Sequence, residues 1–135
     1  MNRTIRCLSL AACLLCSPAA FSTERLVPGQ WQFTMTTEGA TRTMNQCITT
    51  EKAAEVNGDS KSGRALAEKG AKGRCSVDAY DVAGDEVSYT LTCGNRVMRS
   101  VTTFNGDTSS GSLVVTADGK PVTTTITARR VGACP

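Results

Sequence analysis

The chain has 135 residues, a formal net charge of +3, only 4% aromatic residues and no histidine. That length is one domain's worth. A charge so close to neutral argues against a nucleic-acid binder, which normally presents a basic face. The missing histidine excludes Ser-His and Cys-His nucleophilic pairs.

The first 22 residues read as an export signal. Arg3 and Arg6 form a positive n-region, Cys7 to Cys16 is an apolar core, and Ala20-Phe21-Ser22 offers small residues for cleavage after Ser22. The apolar run is too short to anchor the chain across a bilayer. Leu10-Ala11-Ala12-Cys13 also resembles a bacterial lipobox, which would place a lipid on Cys13. The signal-peptide anatomy favours cleavage near Ser22. Removing 22 of the 135 residues leaves 113, and losing Arg3 and Arg6 takes the formal charge from +3 to +1. Residues 23–135 are thus expected to form a single domain that is periplasmic or secreted, with the Cys13 lipoprotein as the alternative.

Within that domain Gln30 to Thr37 alternates, with Trp31, Phe33 and Met35 on one face. This is the pattern of a half-buried strand. A two-residue turn at Gly39-Ala40 returns the chain and predicts Met35 opposite Met44, Phe33 opposite Gln46 and Trp31 opposite Ile48. From Thr49 to Lys72 the alternation stops. Thr49 or Thr50 can cap a short helix through Glu51 and Val56, ended by Asn57-Gly58. Asn57 to Gly63 reads as loop, and Arg64 to Lys69 offers a further helical turn before Gly70. The mixed charges of this excursion read as a solvated connection.

From Cys75 onward the chain reads as an antiparallel meander. Turn dipeptides recur at Gly84-Asp85, Gly94-Asn95, Asn105-Gly106 and Asp118-Gly119. Two-residue turns there pair Val82 with Val87, Tyr80 with Tyr89, Leu91 with Met98, Met98 with Leu113, and Val115 with Val122. All these residues then fall on one apolar face, with Asp78 opposite Leu91 at its margin. The predicted class is all-β: about seven antiparallel strands curled into a small barrel or half-barrel. A short helical and loop excursion separates strands two and three.

Four cysteines remain after the leader: Cys47, Cys75, Cys93 and Cys134. An even number in an exported chain reads as two disulfides formed in an oxidising compartment. No pair has the C-x-x-C spacing of a zinc site, so no metal is expected. Strand parity places Cys93 and Cys134 on the apolar face, and Cys47 and Cys75 on the other. A disulfide cannot join opposite faces, so parity predicts Cys47–Cys75 and Cys93–Cys134.

Several stretches also resemble a known family. They are Pro28-Gly29-Gln30-Trp31, Gln46-Cys47-Ile48-Thr49, Cys75-x-Val77-x-x-Tyr80, Val87-Ser88-Tyr89-x-Leu91-x-Cys93, and the terminal Arg129-Arg130-Val131-Gly132-Ala133-Cys134-Pro135. Together they look like domain of unknown function family 3617, small exported proteins of Gram-negative bacteria. The resemblance covers essentially everything after the leader. It implies export and a four-cysteine framework, and it carries no activity or catalytic residue to transfer.

No catalytic constellation is visible, so the domain is expected not to be an enzyme and to need no cofactor. Asp78 is the one carboxylate with an unusual placement, at the margin of the apolar face. It reads as an acid at the sheet's edge pairing Arg96 or another basic side chain, with a buried acid of raised pKa as the alternative. The favoured function is binding of a hydrophobic small molecule or lipid in a sheet-lined cavity. Trp31, Phe33, Met35, Met44, Tyr80, Tyr89 and Met98 are the candidate lining. The alternative is an envelope protein-protein interaction or structural module without a ligand pocket, its Thr-rich strands adding to a partner's sheet edge.

Overall fold

A computed structural model describes residues 24–135; the predicted leader and Cys13 lie outside them. Seven strands form one antiparallel sheet. They are β1 (Gly29–Thr37), β2 (Ala40–Ile48), β3 (Ser76–Ala83), β4 (Glu86–Cys93), β5 (Arg96–Asn105), β6 (Thr108–Ala117) and β7 (Lys120–Gly132). Helices α1 (Thr50–Asn57) and α2 (Ser60–Ala71) join β2 to β3. The order across the sheet is β2-β1-β7-β6-β5-β4-β3. The expected all-β class, seven antiparallel strands with a helical excursion between strands two and three, is observed; β3 to β7 form a meander, and the β1–β2 hairpin joins it at β7. The edges β2 and β3 do not pair, so the sheet is open and the closed-barrel form is not adopted.

The turns explain how far the expected registers hold. Val82 faces Val87, Tyr80 faces Tyr89 and Leu91 faces Met98, all as predicted. Val115 likewise faces Val122. Two turns differ. The β1–β2 turn is Glu38-Gly39, both residues at positive φ, so Met35 faces Arg42, Phe33 faces Met44 and Trp31 faces Gln46. The β5–β6 turn is Gly106-Asp107, which sets Met98 opposite Val115 instead of Leu113. Here tertiary bonds select the turn: Gly106 N donates to Arg25 O (3.0 Å) and Gly106 O accepts from Val27 N (3.1 Å). Each difference moves the pairing by two residues, which leaves every side chain on its predicted face.

Two β-bulges do change faces. Val77 faces Leu91 and Ala79 faces Thr90, leaving Asp78 as the extra residue of β3. In β7, Arg130 faces Trp31 and Gly132 faces Gln30, leaving Val131 unpaired. One extra residue reverses parity for everything beyond it. Cys75 therefore shares a face with Cys93, and Cys134 shares one with Cys47. The disulfides are Cys75–Cys93 (Cα–Cα 4.3 Å) and Cys47–Cys134 (Cα–Cα 5.3 Å). This overturns the expected Cys47–Cys75 and Cys93–Cys134 pairs.

The excursion is more helical than predicted. Asp59 caps α2 by accepting from Ser62 N at 2.7 Å, so the helix starts inside the stretch read as loop. Thr49 caps α1 by accepting from Lys52 N. Helix α2 packs over β3, and α1 over the Trp31 end of the apolar face. Trp31 is completely buried there with Leu26, Ile48, Ala53 and Ala128, and Phe33, Val56 and Phe104 pack around them. Trp31 Nε1 donates to Val27 O at 2.9 Å, which satisfies the indole's polar atom. Asn57 ties α1 to the entry segment: it accepts from Leu26 N and donates to Leu26 O, both at 2.9 Å.

Candidate functional site

The paired strands place a row of side chains across the sheet: Tyr80, Tyr89, Ser100, Leu113, Thr124, Thr37 and Ala40. Side chains directly opposite each other share a face, so this row runs over the apolar side from β3 to β2. The helices cover it unevenly, and a cleft remains near each end.

The first cleft, about 270 Å³, lies between α2 and the β3–β4 hairpin. Ala67, Gly70 and Ala71 form the helix side; Cys75, Tyr80, Tyr89 and Leu91 form the sheet side. The tyrosine rings stack with centroids 6.3 Å apart and planes 12° off parallel. Burial raises the Tyr80 hydroxyl above its ordinary pKa, with the nearby Arg25 charge opposing. The Cys75–Cys93 disulfide thus closes the end of an apolar slot.

The second cleft is larger, about 420 Å³, and no helix reaches it. Met35 and Thr37 of β1, Ala40 and Arg42 of β2, Leu113 of β6, and Thr124 and Ile126 of β7 line it. Four adjacent strands can bound one hollow only if the sheet curls there. Thr37 and Thr124 bond through their hydroxyls at 2.6 Å, which quiets the polar atoms of the hollow. Nearby, Met44 is 46% exposed and Val122 37%.

The candidate lining residues divide between these places. Trp31 belongs to the filled core and Phe33 packs against it, their rings 6.5 Å apart. Met35 lines the larger cleft; Tyr80 and Tyr89 line the smaller one. Met44 stands exposed on edge strand β2, and Met98 is half-buried in the strip between the clefts. Leu113 and Ile126 line the larger cleft without belonging to the candidate set, although the predicted turns had placed Leu113 on the apolar face. Choosing by aromatic or sulfur content passed over them. Arg42 lies on that face under either β1–β2 turn, since the two differ by two residues; choosing by apolar character left it out.

Asp78 is not a buried acid. It is exposed at its bulge, and hydroxyl bonds from Thr92 (2.5 Å) and Ser76 (2.8 Å), aided by the Arg64 charge, lower its pKa. Among the described residues no group of acids or cysteines is arranged to hold a metal ion. No described helix is long and apolar enough to cross a membrane.

Comparison with curated proteins and with solved structures returns no match. The profile of one family, described as "Protein of unknown function (DUF3617)", matches residues 26–134. That span takes in all seven strands, both helices and all four disulfide cysteines, so the chain belongs to the DUF3617 family.

Proposed function

We propose that this domain is exported to an oxidising compartment and there binds a hydrophobic small molecule or lipid on its apolar sheet face, without catalysis. One observation carries the reading: no residue of α1 or α2 lines the open cleft of about 420 Å³ that this face holds beside Met44 and Val122. That volume lies within the ~300–1,000 Å³ usual for small-molecule sites. Apolar surface covered by a ligand there gains about 25 cal/mol per Å². The two disulfides support an oxidising location. A non-catalytic role is inferred from a chain without histidine whose four described cysteines are all in disulfides.

Protein purified without detergent should release a stoichiometric apolar compound on solvent extraction, and the stripped protein should take up an environment-sensitive dye that Leu113→Arg abolishes. Failure of both extraction and dye uptake overturns the reading. The alternative, docking of a partner protein, draws on edge strand β2, which pairs only with β1 and whose residues Ala40–Asn45 are exposed. Stoichiometric capture of one partner, lost on placing a proline in β2, would support it instead.

A further inference from the structure

The cleft carries a single charge, and that charge selects its occupant; the inference rests on the cleft being a ligand site. Arg42 stands on β2 directly opposite Met35 and is the only charged residue lining the hollow. The ion pairs among the described residues are Arg64–Glu68 and Arg130–Asp107, and Arg42 belongs to neither. The threonine hydroxyls of the hollow are bonded to each other. What remains is an apolar floor of Met35, Leu113 and Ile126 with one guanidinium at its β2 side.

A planar guanidinium matches a carboxylate through two parallel charge-assisted hydrogen bonds. From β2 to β6 the hollow spans three strand spacings, roughly 14 Å, which suits one acyl chain lying across the strands. A two-chain phospholipid does not fit in about 420 Å³ with its headgroup on the same arginine. We infer that the cleft takes a single-chain carboxylate amphiphile, its head on Arg42 and its chain over Ile126 and Leu113. Each methylene buried there tightens binding about fourfold, so affinity rises with chain length until the floor ends.

Competition titrations of the delipidated protein test this with dodecanoate, 1-dodecanol and dodecylphosphocholine. Dodecanoate should bind at least tenfold more tightly than either, and decanoate, two methylenes shorter, about fifteenfold more weakly than dodecanoate. Arg42→Gln should erase the preference over dodecanol while leaving the melting temperature unchanged, and Arg42→Lys should restore part of it. Equal binding of the alcohol and the acid, a preference for the phosphocholine, or a preference that survives Arg42→Gln overturns the headgroup assignment and leaves the cleft as an apolar site. If none of the three binds, the cleft reading fails and this inference fails with it.

Discussion

Gly63 of α2 lies flat against the ring of Tyr80: a β-carbon at Gly63 would come to 2.6 Å from Tyr80 Cζ and 2.7 Å from its hydroxyl oxygen. A glycine inside a helix costs about 1 kcal/mol relative to alanine. Here that cost is offset by the close approach of α2 to Tyr80 that the missing side chain allows. Gly63 is buried for the same reason.

Two substitutions in one helix should therefore act in opposite directions. Gly63→Ala should destabilise the domain by about 1–3 kcal/mol, because the rigid ring must move. Gly70→Ala meets nothing within 4 Å and should stabilise by about 0.5–1 kcal/mol. Urea melts of both variants check the pair; equal and favourable shifts would show that α2 does not rest on Tyr80.

Non-reducing peptide mapping should recover Cys75 with Cys93 and Cys47 with Cys134. In the loop-entropy picture, replacing both cysteines of the longer loop costs about 4.6 kcal/mol and both of the shorter about 3.2 kcal/mol. The Cys47→Ser/Cys134→Ser variant should thus melt lower than Cys75→Ser/Cys93→Ser.

The disulfides also mark where the sequence stops being legible. Five turns placed almost every apolar residue on the correct face, because an error of two residues in a turn leaves parity intact. A bulge adds one residue and reverses it. Val77 carried a faint sign of the first bulge: it shares the parity of Cys75, predicted to lie off the apolar face, yet it is apolar and buried. Val131, 48% exposed in the second bulge, carried none. The site was half legible for a related reason. Composition identified Trp31 as the largest apolar group, yet size drew it into the core, and the smaller Leu113 and Ile126 were left to line the cleft.

Asp78 gives a pH dependence of known sign. Its folded pKa is below the ordinary 3.8, from the Thr92 and Ser76 hydroxyls and then Arg64. A lowered carboxyl pKa stabilises the fold above the unfolded value, and the contribution disappears as pH falls through the folded value. Stability should drop as pH falls below about 4, and Asp78→Asn should make that drop shallower. Thermal melts at pH 5 and pH 2.5 measure the difference; an unchanged slope would mean the hydroxyl bonds do not persist in solution.

Asn57→Ala removes both partners of the Leu26 backbone. A half-buried amide and carbonyl left unsatisfied cost about 1–3 kcal/mol each. The variant should lose about 2–4 kcal/mol in denaturant titration, and amide exchange at Leu26 should accelerate more than at Trp31.

Strand order has a kinetic consequence. From β3 to β7 every neighbour in the sheet is also the next strand in the chain, and β1 then joins at β7 from the far end of the sequence. The chain is a simple meander cut open between β7 and β1, with Gly132 facing Gln30 at the cut. Pairing β1 with β7 requires closing a loop of nearly the whole domain before any bond repays it, and such closures slow folding. A circular permutant that links residue 134 to residue 26 and opens between α2 and β3 would make that junction local. It should keep the same sheet and refold faster than the natural order.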